Sequence, residues 1–295
     1  MIKASTGVAP STFEIVHQTT YRFVRPVALH PHRLMLRTRD SHELSVLDFQ
    51  LSCAPTADVT WSQDVFGNLC AVARFALPSE SLVIESRLTV ASRAQAWPVF
   101  PITPAAQTYP FAYSDDEAAD LGALRLPQPD PEVARWAHGF VAGPATDTLS
   151  LLKDLNAGVL AAATYRVRDE EGVQSAGETL RLASGSCRDL AALFIEAVRQ
   201  LGLGARAVSG YLFDPDQTDR QADTTHAWAE VYLPGAGWIT FDPTHNRIGA
   251  AGLIPLAVGR SNGQIMPVAG SYAGSAADAL GMAVSVRIAP VISAP

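Results

Sequence analysis

The chain has 295 residues, of which 48% are hydrophobic and 17% are charged, so it has enough apolar material for one large or two moderate globular domains. Its formal net charge of −7 and its lack of basic clusters argue against nucleic acid as a partner. No apolar run reaches the ~18 residues of a membrane-spanning helix, and residues 1–10 lack the apolar stretch of a signal peptide, so we expect a cytoplasmic protein with no membrane partner.

The first third of the chain predicts a β-rich domain over residues 11–95. Short runs rich in β-branched and aromatic residues, partly alternating apolar with polar positions, are separated by turn signals such as Gly67-Asn68. These runs cover residues 14–23, 34–38, 45–51, 59–63, 69–75 and 81–92. The pattern is typical of an antiparallel sandwich or open barrel, and a scaffold, a wall facing the substrate and a dimer surface are all open roles for it. His30-Pro31-His32 is interpreted as a solvated turn, since no third ligand has the spacing of a metal site.

The rest of the chain predicts a connector, an α+β domain and an extension. Six prolines and an acidic cluster in residues 96–130 indicate an extended connector. Residues 131–248 predict helices followed by a meander of strands, which indicates an α+β domain rather than alternating βαβ units. The expected helices cover residues 131–141 and 147–163, a polar loop covers 166–178, a mobile flap covers 214–225, and the strands cover 205–213, 226–233 and 238–242. Residues 249–295 are expected to return to a sheet edge through a strand over 282–288.

Cys187 lies at the start of a further predicted helix. Ser186 is a candidate N-cap whose hydroxyl would accept a backbone hydrogen bond, and Asp189 lies at the acidic position of a capping box. Apolar residues follow at helical spacing, which predicts that the thiol shares the buried face of the helix. The positive end of a helix favours a thiolate, although a lone cysteine is more often a small buried hydrophobe. Cys53 and Cys70 are interpreted as buried thiols.

Two predicted strands bring a histidine beside an aspartate. The tight connection Pro234-Gly235-Ala236-Gly237 favours antiparallel pairing, which places His226 at the start of one strand next to Asp242 at the end of the other. Pro243 cannot continue the ladder, so the aspartate lies at the strand edge. A thiol, an imidazole and a carboxylate in this order suit acyl chemistry, in which the thiolate attacks, the imidazole carries the proton and the carboxylate orients the ring. His245 is a rival base, but its position past the strand end favours the surface.

Two aspects of this arrangement stay open. Cys187, His226 and Asp242 could instead bind zinc, although catalytic zinc sites favour ligand sets richer in histidine, so we predict neither a metal nor a cofactor. The backbone N–H of Cys187 is a natural donor to an oxyanion. Gln174 and Tyr165 are candidates for a second donor, with no preference between them.

These residues resemble the core signature of the transglutaminase-like superfamily. The motifs that carry the resemblance are Gly185-Ser186-Cys187-Arg188-Asp189, His226-Ala227-Trp228-Ala229-Glu230-Val231-Tyr232 and Phe241-Asp242-Pro243-Thr244. Val16-His17-Gln18-Thr19-Thr20-Tyr21 and Asp64-Val65-Phe66-Gly67-Asn68 resemble the β-rich region that precedes this core in bacterial members. The resemblance implies a papain-like α+β domain, with a cysteine helix against an antiparallel sheet, preceded by an all-β sandwich-like domain. It also implies a catalytic triad of Cys187, His226 and Asp242.

The superfamily includes transglutaminases, peptidases and amide hydrolases, and bacterial members with this layout are often named cysteine proteases. We therefore predict a cysteine-dependent hydrolase that cleaves amide or peptide bonds of a peptide or protein substrate through a thioester acyl-enzyme. One alternative is a transglutaminase, which would pass the acyl group to a lysine amine. The other is a non-catalytic binding module that has kept the fold.

Overall fold

The computed structural model describes residues 10–95, 98–168, 172–214 and 225–291. As predicted, the first third of the chain is β-rich. Its longer strands are β1 Ser11–Leu29, β2 His32–Leu34, β3 Leu44–Ala54, β4 Ala57–Gln63, β5 Leu69–Phe75 and β6 Ser79–Ser92. One sheet contains β3, β6 and β1 in that order, and a second contains β2, β5 and β4. Apolar side chains from both sheets, among them Phe23, Leu34 and Ile84, pack into one buried cluster.

The structure corrects the interpretation of the histidine pair near β2. His32 is only 4% exposed, and its Nδ1 donates to the backbone carbonyl of His30 at 2.7 Å. Its ring packs edge-on against Phe75, with centroids 5.6 Å apart. The solvated-turn interpretation is therefore wrong for His32, because strand β2 turns its side chain into the sandwich.

Five helices of more than one turn lie within the described residues: α1 Asp115–Leu121, α2 Pro131–His138, α3 Thr148–Ala162, α4 Ala176–Leu182 and α5 Cys187–Gln200. Helix α1 lies in the expected connector, and α4 begins in the last three residues of the expected polar loop and continues beyond it, so neither segment is irregular throughout. None of the helices in the described ranges combines the length and apolar character needed to cross a membrane.

Helix α5 is the centre of the second half of the chain. Its residues Leu190, Phe194 and Val198 recur at helical spacing and are fully buried. They face a sheet of antiparallel strands in which Phe241 stacks on Phe194, with ring centroids 5.3 Å apart. Burying these side chains, at about 2 kcal/mol each, fixes the start of the helix against the sheet.

The sheet behind α5 contains β7 Ala205–Leu212, β8 Thr225–Leu233, β9 Gly237–Asp242 and β10 Leu253–Gly259. Their order is β9, β8, β7, β10, and all neighbours are antiparallel. The first three agree with the predicted strands, whereas β10 was not predicted. The α+β architecture is confirmed. The predicted flap over residues 214–225 lies almost entirely outside the described residues.

The last long strand, β11 Ala279–Pro290, joins the first sheet of the N-terminal region. It pairs antiparallel with β1, from Phe13 opposite Pro290 to Tyr21 opposite Met282. Val286 and Ile288 of β11 then pack with Phe13 against the sheet behind α5, where they contact its buried side chains Tyr211, Ile254 and Leu256. This apolar contact fixes the position of β1 and β11 relative to the start of α5.

Candidate active site

Cys187 is the first residue of α5 and is half-buried. The buried carboxylate of Asp189 shapes the turn before it, accepting hydrogen bonds from the backbone N–H and the hydroxyl of Ser186, both at 2.8 Å. The capping-box pairing was therefore predicted correctly, but the serine hydroxyl donates to the aspartate where we expected it to accept from the backbone. The thiol lies at the edge of the buried face, since Cys187 is half-buried whereas Leu190 and Phe194 are fully buried.

The carboxylate of Asp189 also forms hydrogen bonds with the preceding loop and so fixes that loop to the start of α5. Asp189 accepts from the backbone N–H of Gln174 at 2.7 Å and from the guanidinium of Arg168 at 2.9 and 3.0 Å. The side-chain amide of Gln174 is itself engaged, since it donates to the carbonyl of Ser184 at 3.0 Å and to the hydroxyl of Thr179 at 3.3 Å. Gln174 is therefore a structural residue of this loop, and its amide is not placed to stabilise an oxyanion.

His226, at the start of β8, lies between a carboxylate and a thiol. Its Nε2 donates to Oδ2 of Asp242 at 2.9 Å, and its ring lines the same cavity as the side chain of Cys187, whose charge raises the pKa of the ring. Because Asp242 occupies Nε2, Nδ1 is the nitrogen left for the sulfur. The histidine is 7% exposed and the aspartate 1%, so water competes little for the bond between them. The structure thus brings the three predicted residues together.

Opposing effects act on the acidity of this pair. Burial by itself would lower the pKa of His226, but hydrogen bonds and charge interactions with Asp242 and Cys187 outweigh it and raise the pKa. Burial would raise the pKa of Asp242, yet hydrogen bonds from two histidines hold it well below its usual range. The arrangement therefore favours a charged imidazolium bonded to a charged carboxylate at neutral pH.

The second of these histidines is His245, for which we expected a surface position. Its side chain is 28% exposed, and its Nδ1 donates to the same Oδ2 of Asp242 at 2.8 Å. The turn after β9 brings it back, because the backbone N–H of Thr244 bonds Oδ1 of the aspartate at 3.0 Å. Its ring lies 5.2 Å from that of His226. The surface expectation is therefore wrong, because His245 bonds the same carboxylate oxygen as His226 does.

The side chains of His226, Asp242 and His245 offer ligand atoms within 4.8 Å of one another, which invites a test of the zinc alternative. Two atoms bound tetrahedrally to zinc at ~2.0–2.1 Å lie about 3.3 Å apart. The nitrogen–oxygen distances of 2.8 and 2.9 Å are shorter and are ordinary for charge-assisted hydrogen bonds. These contacts therefore fit shared protons better than a shared metal ion.

Tyr165 reaches the thiol from the segment before α5. The short strand Thr164–Tyr165 pairs in parallel with Ser184–Gly185, immediately before the cysteine. Burial raises the pKa of Tyr165, and the charge of Cys187 raises it further. The tyrosine hydroxyl therefore stays protonated near the sulfur at neutral pH and is a hydrogen-bond donor.

The thiol opens into a cavity of about 350 Å³ whose walls come from distant parts of the chain. Cys187, His226 and Tyr165 line one side. The opposite side is formed by β1 and β11 of the N-terminal sheet, including His17 and Met282. The β-rich region therefore contributes to the wall of the cavity into which the thiol opens.

Comparison with known proteins agrees with this architecture. Residues 134–243 match the family model described as Transglutaminase-like superfamily, and residues 13–91 match the one described as Bacterial transglutaminase-like N-terminal region. The core of the chain, residues 134–243, is that of the transglutaminase-like superfamily. The first match contains all three of Cys187, His226 and Asp242, and the second contains β1 to β6 apart from the ends of β1 and β6.

Relatives of this chain include uncharacterized proteins of Mycobacterium bovis and Mycobacterium tuberculosis. Each is 28% identical over 271 residues, which cover 88% of this chain and 86% of the relative. The crystal structure of a putative cysteine protease from Cytophaga hutchinsonii is similar over 97% of this chain and 93% of that chain, with a TM-score of 0.76 and 19% identity. That likeness shows a shared fold across both the β-rich region and the transglutaminase-like core.

Proposed function

We propose that the protein is a cysteine-dependent hydrolase of amide or peptide bonds, with Cys187, His226 and Asp242 as its catalytic triad. The observation that carries the proposal is the position of His226, which bonds Asp242 at 2.9 Å through Nε2 and lines the same cavity as Cys187, whose charge raises the pKa of the imidazole. A protonated imidazole stabilises a thiolate beside it and holds the proton that a leaving amine needs.

In the first half of the reaction, the thiolate of Cys187 attacks the carbonyl carbon of the substrate. A carbon–sulfur bond forms while an electron pair moves onto the carbonyl oxygen. The backbone N–H of Cys187 and, in this proposal, the hydroxyl of Tyr165 donate hydrogen bonds to that oxyanion. The intermediate then collapses: the carbon–nitrogen bond breaks, the amine takes the proton of the His226 imidazolium, and a thioester remains.

In the second half, water cleaves the thioester. Neutral His226 takes a proton from water as the water oxygen attacks the carbonyl carbon. The carbon–sulfur bond breaks, the carboxylic acid leaves, and the thiolate and the imidazolium are restored. Asp242 keeps its charge throughout, because its bonds to His226 and His245 fix the ring and stabilise its protonated form.

A turnover screen tests the proposal. Wild-type protein, Cys187→Ser and the matched control Cys53→Ser are incubated with a library of peptides and simple amides, and cleavage is followed by mass spectrometry. We expect the wild type and Cys53→Ser to cleave the same substrates, with a covalent acyl adduct confined to Cys187. Equal cleavage by Cys187→Ser would contradict the proposal.

The alternatives give different products in the same screen. A transglutaminase would attach an added fluorescent amine to a glutamine donor peptide, because the amine would replace water in the second half of the reaction. A binding module would show no turnover by the wild type, and Cys187→Ala would bind partners as the wild type does. Hydrolysis in the presence of excess amine supports the proposed function.

A further inference from the structure

Strand β11 carries an apolar stripe that runs from the protein interior into the cavity. Met282, Val284, Val286 and Ile288 alternate along the strand and so share one face. Val286 and Ile288 are 7% and 6% exposed because they pack on the sheet behind α5, whereas Met282 and Val284 are 60% and 45% exposed. The exposed fraction of these side chains rises where the sheet behind α5 no longer covers β11 and the cavity begins.

The side of the cavity nearer the thiol is also apolar and open. Tyr165 and Val167, on the segment before α5, line the cavity and are 47% and 68% exposed. Scattered exposed apolar residues are ordinary, but a group of large ones around a single cavity marks a surface that binds something. The continuity with Cys187, which lines the same cavity, indicates that the occupant is the molecule that the thiol attacks.

The charged side chains around the cavity limit which chemical groups of a substrate it can bind. Within the described residues, no carboxylate lines the cavity, and the charged side chains that line it apart from Cys187 and His226 are Arg168 and Arg188. Arg168 is bonded to buried Asp189. Among the described residues, a cationic substrate group away from the thiol would thus meet two guanidinium groups and no carboxylate in the cavity wall, whereas an apolar group would meet side chains that lose water favourably.

Resting on the proposed function, we propose that Met282 and Val284 are specificity-determining residues that receive an apolar side chain of the substrate next to the bond that Cys187 attacks. The N-terminal sheet then selects substrates, while the core performs the chemistry. The apolar stripe supplies binding energy without touching the reacting atoms, so its loss reduces discrimination between substrates rather than the reactivity of the thiol.

A pair of alkylating reagents with the same reactive group tests this inference without a known substrate. Rates of Cys187 modification by iodoacetamide and by N-hexyl iodoacetamide are measured, and their ratio is compared with the ratio for glutathione. We expect the hexyl reagent to be favoured by about tenfold over glutathione's ratio, since several methylenes leave water. Trypsin releases the cysteine within residues 182–188, which allows mass spectrometry to follow it separately.

The variant for this test is the double substitution Met282→Gln with Val284→Thr, which changes polarity but little in shape or charge. Its preference should fall to within about twofold of glutathione's ratio, while its rate with iodoacetamide itself stays unchanged. The matched control is Leu280→Gln on the same strand, because Leu280 is 66% exposed but does not line this cavity. The control should keep the wild-type preference, and near-ultraviolet circular dichroism checks that all variants are folded.

The outcomes separate the two claims. A wild-type ratio equal to that of glutathione, or an equal loss of preference in Leu280→Gln, would overturn the inference while leaving the proposed function standing. Slow reaction of Cys187 with iodoacetamide itself would instead count against the proposed function. A stable dimer that dissociates in the double variant, seen by analytical ultracentrifugation, would assign the stripe to a second copy of the chain and overturn the inference as well.

Discussion

His17, in the wall of the cavity, makes the stability of the protein depend on pH in a defined window. It is 1% exposed, and its ring nitrogens bond the hydroxyls of Tyr211 and Thr19, both at 3.0 Å. Burial lowers the pKa of His17 from 6.5 to about 4. The unfolded chain therefore takes up a proton at higher pH than the folded chain does, so folding stability falls as the pH drops from 6.5 to 4 and changes little with this group outside that window.

The size of the effect follows from the two pKa values. The linkage between proton binding and unfolding lowers the free energy of unfolding by about 1.4 kcal/mol at pH 5.5 and by about 3 kcal/mol at pH 4, relative to neutral pH. In the variant His17→Asn, the amide keeps a polar group near Tyr211 but does not titrate. Its free energy of unfolding at neutral pH can differ from that of the wild type, but it should not show the decrease between pH 6.5 and 4 that protonation of His17 causes.

Urea unfolding, followed by tryptophan fluorescence at pH 7.5, 5.5 and 4, measures this difference. Other groups titrate in the same range, but they are common to both proteins, so the difference between wild type and His17→Asn isolates one residue. The control is His42→Asn, because the side chain of His42 is 90% exposed. If His17→Asn loses as much stability between pH 6.5 and 4 as the wild type, His17 is not held neutral and the reasoning is refuted.

Three further predictions concern the site and its support. Asp242→Asn should lower kcat/KM by at least about 100-fold and move the alkaline loss of activity to lower pH, since the carboxylate helps to raise the pKa of His226 to about 10. An unchanged pH profile in this variant would contradict the prediction. His245→Gln should lower kcat/KM by less than about tenfold. Tyr165→Phe should lower kcat by about 100-fold with little change in KM, because the oxyanion forms only during reaction, and a change confined to KM would exclude the role. Asp189→Ala should destabilise the fold by about 3–5 kcal/mol in urea unfolding, and a loss below about 1 kcal/mol would show that its bonds do not hold the helix start.

The proximity of His226 and Asp242 was predictable because it depends on local geometry. A short connection at Pro234 to Gly237 sets the register of the hairpin, whose pairing ends at Ala229 opposite Phe241 and leaves His226 and Asp242 at the same open end. The start of α5 was predictable for the same reason, since Ser186 and Asp189 form their contacts within one turn.

Two helices were missed although their signals were present. Ser114 with Glu117 and Ser175 with Glu178 each form a capping box at the start of α1 and α4. The prolines and acidic residues around α1 favoured an extended connector, yet acidic residues are enriched in the first turn of helices. The presence of Glu three residues after Ser was the better guide.

The cavity wall could not be predicted, because no local pattern encodes it. His17 and Tyr211 are 194 positions apart, and their hydrogen bond depends on how the N-terminal sheet docks against the sheet behind α5. The role of His245 was hidden for a related reason: it depends on a turn after β9 that the backbone bond from Thr244 to Asp242 closes. The sequence did contain a signal for this turn, because aspartate side chains often bond the backbone two residues further on. Asp242 followed by Pro243 therefore indicated a turn that could bring His245 back to the carboxylate.

The most direct test of the central claim is the rate at which iodoacetamide modifies each cysteine near pH 6. If His226 and Asp242 activate the thiol, Cys187 should react at least about 100-fold faster than Cys53 or Cys70, and His226→Gln should remove most of that advantage. Equal labelling of the three cysteines in the folded wild-type protein would contradict the claim that Cys187 is an activated nucleophile.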